Sequence, residues 1–303
     1  MTRPDETTPY RSGFIALIGR PNVGKSTLLN ALVGQKLSIV TAKPQTTRNR
    51  IVGVRHFEGG QMVLLDTPGI HEAQSALNEW MVRQALATLE EADGVVLLID
   101  AQRATEASDA ATLEMIAEVK TPVILALNKI DLIDKPRLLP LIDAWRARRD
   151  FHAIVPISAL RGIGLQDLGT EMEGLLGPGP EYFPADMVTD QPMRFVAAEV
   201  IREKLTERVH AEIPYSVAVV VDQYLEEGRI TRIHTTIYVE RDSQKRIVVG
   251  KGGEVLRDVG TAARRELEWM TGTKVHLTTW VKVLKNWAHR ADLLARVGYG
   301  ERS

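Results

Sequence analysis

The chain has 303 residues, of which 44% are apolar, 25% are charged and none is cysteine. At roughly 100–200 residues per domain that length favours two domains, and the apolar fraction suffices to offset the entropy of ordering a globular chain. Disulfide frameworks, thiolate zinc sites and cysteine nucleophiles are excluded. Apolar runs such as Val95 to Ile99 fall far short of the roughly 18–20 residues a membrane span needs. The polar, proline-bearing stretch 1–11 reads as a flexible leader with no secretory signal, so a cytoplasmic protein is expected. The net charge of −1 conceals a split: 19 Lys/Arg against 15 Asp/Glu from Arg194 onward, and 19 against 24 before it. Any nucleic-acid contact is therefore expected in the second half.

FIALIG (Phe14 to Gly19) reads as a buried strand, followed by strands Met62 to Asp66, Val95 to Asp100, Val123 to Asn128 and Ile154 to Ser158. Helix-period stretches lie between them at about 25–34, 75–92, 105–118, 136–148 and 164–175. This alternation predicts an α/β domain over 12–177, a mostly parallel sheet with helices on both faces, whose ligands sit at the carboxyl ends of the strands. The proline- and glycine-rich stretch 178–193 reads as a linker. Over 194–303 the pattern becomes helix 194–209, strands 216–225 and 231–240, a short helix near 243–249, a longer one at about 254–271 and strand 274–283. That order, α-β-β-α-α-β, predicts a separate small α+β domain.

GRPNVGKS, from Gly19 to Ser26, matches the phosphate-loop pattern between a strand and a helix. Its glycines let backbone N–H groups wrap phosphates at a helix N-terminus. Lys25 is expected on the β- and γ-phosphates and Ser26 on Mg²⁺. DTPG, from Asp66 through Thr67 and Pro68 to Gly69, ends a strand; its acid can hold Mg²⁺ through water and the Gly69 N–H can meet the γ-phosphate. Between them, PQTTR (Pro44 to Arg48) offers a threonine hydroxyl to complete the Mg²⁺ shell, and Thr47, standing before the arginine, is chosen over Thr46.

NKID (Asn128, Lys129, Ile130, Asp131) follows the fourth strand. The Asp131 carboxylate would accept from guanine N1–H and its 2-amino group, donors that adenine lacks, so a mismatched base would leave a buried charge unpaired. Asn128 would take the other edge of the base and Lys129 its face, while Ser158 and Ala159 would offer a backbone N–H to guanine O6. Four elements in order at the strand ends of one sheet point to a guanine nucleotide, bound over Gly19, Arg20, Pro21, Asn22, Val23, Gly24, Lys25, Ser26 and Thr27, Asp66 to Ile70, Asn128 to Asp131, and Ser158 with Ala159.

The set GRPNVGKS, PQTTR, DTPG, NKID and SAL resembles the translation-factor-related GTPases, and with the second domain it resembles the Era-type GTPases over nearly the whole chain. The resemblance implies GTP hydrolysis to GDP with Mg²⁺ and switch loops that rearrange between the two nucleotide states. Ile70 stands where many GTPases carry a glutamine that orients the attacking water, so slow intrinsic hydrolysis is expected. Related GTPases with an asparagine at the position of Asn22 use a potassium ion there, and the resemblance carries that ion over. Arg48 is a candidate charge stabiliser only by its place in the loop.

In the second domain Gly250, Lys251, Gly252 and Gly253 separate two helices. In this order of elements the break reads as a type II KH module, which clamps about four nucleotides of single-stranded nucleic acid. Ile201, Arg202, Val248 and Val249 are candidates for the adjoining groove, Arg257, Arg264 and Lys282 for phosphate contacts, and Trp280 and Trp287 for base stacking. The Era resemblance implies as partners the 3′ end of small-subunit ribosomal RNA and the small ribosomal subunit during its maturation, with peripheral membrane association besides; a monomer is the default. Two rival readings stay open: an RNA-binding assembly factor whose GTP is a structural latch, and an ATP-dependent kinase or ATPase sharing the phosphate loop.

Overall fold

Ile15 to Ile18 of strand β1 (Arg11–Ile18) are wholly buried, as an apolar run must be when strands flank it on both sides and helices cover both faces. The computed structural model describes residues 9–300 other than 42, 44, 45, 70–74 and 105, and only the backbone of 106–108, 110, 111 and 115. After β1 come α1 (Lys25–Val33), β2 (Ile51–Phe57), β3 (Gly60–Asp66), α2 (Ala76–Glu91), β4 (Gly94–Asp100), α3 (Glu106–Ala117), β5 (Val123–Asn128), α4 (Leu138–Arg146), β6 (Ala153–Pro156) and α5 (Leu165–Gly174). The six strands lie in the order β2-β3-β1-β4-β5-β6. Neighbours are parallel except β2, which runs antiparallel to β3 with Ile51 opposite Asp66 and Phe57 opposite Gly60. One face of the sheet packs on Leu89, Ile116 and Trp145 from α2, α3 and α4; α1 packs against β2 and β3, and α5 against β5 and β6. Chain order reverses on either side of β1, which places the loops after β1, β3, β5 and β6 at one end of the sheet.

Past α5 the chain forms α6 (Met193–Arg208), β7 (Ala218–Glu227), β8 (Ile230–Val239), α7 (Asp242–Val249), α8 (Glu254–Thr271), β9 (Lys274–Val283) and the short α9 (Ala291–Leu294). The sheet β7-β8-β9 pairs β7 with β8 antiparallel and β8 with β9 parallel. Helices α6 and α8 cover one face through Val200, Ile201, Leu205, Val259, Ala263 and Leu267. On the other, Ala218, Val220 and Tyr238 meet Leu77, Met81, Trp287, Leu294 and Tyr299.

The chain divides into two compact units, and not at a single point. The first holds residues 1–38, 49–71 and 83–190; the second holds Ile39–Arg48, Glu72–Val82 and Gln191–Ser303. Two stretches that the sequence reading assigns to the first domain thus belong to the second body. The stretch expected as a linker is strapped to the first unit. Gln61 Oε1 accepts the N–H groups of Tyr182 and Phe183 at 2.8 and 3.0 Å. Val54 N–H donates to Val188 O, and the Thr189 hydroxyl donates to Val52 O.

Candidate functional site

In the first unit the loop from Gly19 to Gly24 joins β1 to α1, and its backbone geometry dictates its residues. Gly24, at the N-terminus of α1, has φ +106°, and a Cβ there would lie 2.3 Å from Asn128 Nδ2. Only glycine allows both that conformation and that approach. The Asn128 amide uses the space: Nδ2 donates to Val23 O at 2.7 Å, and Oδ1 accepts the Ala159 N–H at 2.9 Å. One buried side chain therefore ties the phosphate loop, the end of β5 and the loop after β6. Sequence reasoning places Asn128 on the base edge; here its side chain braces the three loops. Lys129, expected on the base face, has φ +66° and donates from its ammonium to Asn22 O at 2.8 Å and Asp100 Oδ2 at 2.7 Å. Asp131 is exposed on the turn Ile130–Leu132, and the Ile130 N–H donates to Ile157 O. Ser158 is buried and exchanges backbone hydrogen bonds with Ile163, which shapes the loop that carries Ala159.

At the phosphate end Lys25 is buried and donates to the carbonyls of Gly19 and Arg20 at 2.9 and 3.1 Å. Burial lowers its pKa from 10.5 to about 8, with the Asp66 carboxylate pulling the other way. The ammonium is thus folded back onto the loop that would wrap a phosphate, and it is under-solvated there. Ser26 Oγ and Ser38 Oγ both donate to Asp66 Oδ2, at 2.7 and 2.9 Å. Thr67 Oγ1 donates to Leu17 O, which fixes the start of the loop after β3. Gly69 lies so close to Pro21 that a Cβ on it would meet the proline Cα and N at 2.7 Å. Arg20 reaches Asp109 at 3.9 Å, while Pro21, Asn22 and Thr27 complete the loop and the first turn of α1. Ile70, where an isoleucine stands in place of a water-orienting glutamine, lies outside the described residues, as do Pro44 and Gln45. Sequence reasoning missed Ser38 and Asp100. Asp100 ends an apolar strand and so carried a signal; Ser38 carried none.

In the second unit Gly250, Lys251, Gly252 and Gly253 separate α7 from α8, with φ of +76°, +61° and +78° at the three glycines. Lys251 and Arg257 are exposed beside this break, with Arg264 further along α8. The groove expectation needs correction. Ile201 and Val248 are 0% exposed in the core between sheet and helices, so neither can meet a base. Arg202 is 2% exposed and closed off by Glu199, which its Nε meets at 2.8 Å. Burial opposes its charge, but the Glu199 carboxylate raises its pKa above the ordinary value. Trp287 is buried, donating its indole N–H to Ser216 O, whereas Trp280 is 62% exposed on β9 near Lys282.

The loop Ile39–Arg48 is built into this second unit by cations. Arg48 is buried; Nη1 donates to Val217 O at 2.6 Å and Nη2 to Pro214 O at 2.8 Å. Its guanidinium lies 5.6 Å from the Tyr299 ring and 6.0 Å from the Trp287 ring. Its Nε finds no acceptor among the described residues, and burial lowers its pKa. Arg202 Nη2 donates to Thr46 O, and Lys43 Nζ donates to Thr206 O and Val209 O at the end of α6.

The chain was compared with known proteins. A family model for 50S ribosome-binding GTPases matches residues 14–129, and a KH-domain model matches residues 212–288. The GTPase Era of Syntrophus aciditrophicus (strain SB) is 49% identical over 96% of both chains, and that of Geotalea uraniireducens (strain Rf4) is 48% identical over 96% of this chain and 98% of its own. A crystal structure of Era with MgGDPNP and nucleotides 1506–1542 of 16S ribosomal RNA superposes with a TM-score of 0.93 at 39% identity, covering 96% of this chain and 99% of that one. An Aquifex aeolicus Era variant bound to GDP·AlF4⁻ gives the same score and identity over 96% and 100% of the two chains.

Proposed function

The chain belongs to the Era family of GTPases, and from that premise we propose that it binds the 3′ end of 16S ribosomal RNA through its KH unit and acts in maturation of the small ribosomal subunit. Its reaction is hydrolysis of GTP to GDP and phosphate. The observation that carries the guanine site is the Asn128 bridge from Val23 O to the Ala159 N–H, which draws three motifs to one end of the sheet with Asp131 beside them. For the RNA, the KH model matches residues 212–288, and the Era relative of known structure holds a 16S fragment. The label naming 50S ribosomes rests on residues 14–129 alone, so the match over 96% of the chain carries more weight. We divide the chain as a leader to residue 11, a GTPase domain over 12–177, a connection over 178–193 and a KH domain over 194–303.

Incoming phosphates replace the Gly19 and Arg20 carbonyls as partners of Lys25 and return a solvating anion to its ammonium. The Asp66 carboxylate and the Ser26 and Ser38 hydroxyls that meet it are oxygen ligands, the chemistry a hard divalent cation takes. Ser26 and Asp66, with Thr47 in the GTP state, would hold Mg²⁺, which neutralises charge between the β- and γ-phosphates. The Gly69 N–H would meet the γ-phosphate, where no side chain fits against Pro21. Water attacks in line while Lys25 and the loop N–H groups stabilise charge spreading on the phosphate. With isoleucine at position 70 no side chain there can orient that water, and Asn22, at φ +63° with its carbonyl on Lys129, would hold a potassium ion that supplies positive charge instead. The protein acts as a cytoplasmic monomer, peripheral to the inner face of the membrane when it associates there; among the described residues no helix is long and apolar enough to cross one.

The test is GTP turnover in potassium against sodium buffer, with and without a single-stranded RNA from the 16S 3′ end. Turnover raised by both supports the reading; RNA that neither binds nor stimulates removes the KH assignment.

A further inference from the structure

Strand β4 ends on Asp100, which stands opposite Asn128 as the last pair of the parallel register between β4 and β5. The Ala101 N–H donates to Asn128 O at 2.8 Å, so the turn after β4 supports the turn after β5. The Asp100 carboxylate is divided between two donors: Oδ1 accepts the Gln102 N–H at 3.0 Å, and Oδ2 accepts the Lys129 ammonium at 2.7 Å. Its side chain is 12% exposed, so water competes little for the pair. The same ammonium donates to Asn22 O in the phosphate loop at 2.8 Å, and Asp100 is the one carboxylate it meets among the described residues. Lys129 is the residue on which the base loop bends. Its neighbours are fixed by other groups, Asn128 through Val23 O and the Ala159 N–H, and Ile130 through Ile157 O. Lys129 itself has φ +66°, a left-handed backbone that a β-carbon disfavours and that persists only where its surroundings enforce it. Immediately after it comes the three-residue turn Ile130–Leu132, with Asp131 exposed at its centre.

We infer that Asp100 is a positioning residue for guanine recognition: by holding the Lys129 ammonium against the phosphate loop it keeps the left-handed bend at Lys129, and the bend aims the Asp131 carboxylate at the base. The inference deepens the proposed function and rests on its assignment of Asp131 to the guanine N1–H and 2-amino group. An exposed carboxylate on a short turn discriminates well only when its direction is set in advance, because freedom to swing has to be surrendered on binding. Asp100 stands outside the phosphate-loop, DTPG, NKID and SAL motifs and acts through Lys129. Without its charge, the ammonium keeps only the neutral Asn22 carbonyl of its two partners. The bend then relaxes, and Asp131 gives up part of its hold on the second donor of the base. The 2-amino group is where that loss is read. Hypoxanthine has the N1–H of guanine and lacks the amino group, so inosine diphosphate reports the two-donor contact by difference.

The experiment is competition of GDP and inosine diphosphate for the full chain against a fluorescent guanine nucleotide, for wild type, Asp100→Asn and Asp100→Ala. Melting of the nucleotide-free proteins identifies the variants that fold. Asp100→Asn is expected to weaken GDP about fivefold or more and inosine diphosphate by less, so that the preference for GDP narrows. Asp100→Ala is expected to narrow it further, and Asp100→Asn carries the test if the alanine variant does not fold. The ratio decides, because a merely destabilised fold weakens both nucleotides alike. A preference for GDP equal to or greater than that of wild type in the folded variants overturns the positioning role, whatever happens to overall affinity, and leaves the assignment of Asp131 standing. A wild type that binds the two diphosphates equally overturns that assignment and this inference together.

Discussion

The hydroxyl of Ser38 donates to Asp66 Oδ2 at 2.9 Å, on the same oxygen that Ser26 meets at 2.7 Å. Ser38 is fully buried, so deleting its hydroxyl removes one of two donors from that carboxylate oxygen and leaves no water to replace it. Ser38→Ala is expected to cost about 1–3 kcal/mol in the nucleotide-free protein, measured by urea unfolding. The loss should shrink when Mg²⁺ and GDP are present, because the ion takes up the oxygen. A loss that is the same in both conditions would remove Asp66 from the metal site.

Lys25 links the phosphate loop to pH. Burial lowers its folded pKa to about 8 against 10.5 in the free side chain. The folded state therefore disfavours the ammonium by roughly 3 kcal/mol. That penalty is fully present below pH 8 and fades as pH climbs towards 10.5, so the nucleotide-free protein should gain stability across that window. Phosphates restore the charge, and GTP binding at pH 8 should take up about half a proton, against almost none at pH 6. Calorimetry in buffers of different ionisation enthalpy reads this directly; no uptake at pH 8 would refute the shift.

Asp131→Asn exchanges a carboxylate for an amide at the base position. Binding of GTP should weaken on the order of 100-fold and xanthosine triphosphate should bind in its place, since hydrogen-bonding sites reject a base that leaves groups unpaired. Competition between the two nucleotides decides it. Weakened GTP binding without any gain for the xanthine nucleotide would count against the guanine assignment.

The glycine break of the KH unit separates structure from binding. A Cβ on Gly250 would meet Val255 Cγ2 at 2.6 Å and its backbone N at 2.8 Å, whereas one on Gly252 meets nothing within 4 Å. Gly250→Ala is expected to lower the melting temperature sharply. Gly252→Asp keeps a conformation aspartate tolerates but sets a negative charge where phosphate would approach. It should cut RNA affinity about tenfold or more with only a small change in melting. Equal RNA binding by Gly252→Asp and wild type would place the RNA elsewhere.

Much of this was readable from spacing. Four of the parallel strands are continuous apolar runs because both their faces are covered, and the phosphate, DTPG and NKID motifs sit at their ends. What was not readable depended on tertiary neighbours. Strand β2 escaped because Gly53 and the polar pair Arg55-His56 break its apolar run; a Cβ on that glycine would lie 2.7 Å from Leu29 Cδ1 and 2.9 Å from Val33 Cγ2, so those α1 side chains would have to give way. The stretch 178–190 carries every local mark of a linker, and it is strapped down by partners far away in sequence, among them the Gln61 amide, 121 residues from Tyr182. Ile201 and Val248 have the composition of a groove and the burial of a core, which sequence cannot distinguish. Arg48 and Arg202 look like surface cations until their carbonyl partners are seen.

The division of the chain has a practical and an evolutionary side. Cutting at residue 190 would not release a self-sufficient GTPase, because Ile39–Arg48 and Glu72–Val82 would lose the body they are built into. The first of them contains the proposed Thr47 ligand and the second begins three residues after Gly69, so the chain on either side of the β2–β3 hairpin is packed into the unit that carries the KH match. A lineage that exchanged the KH half for another module would have to replace the packing of both stretches as well.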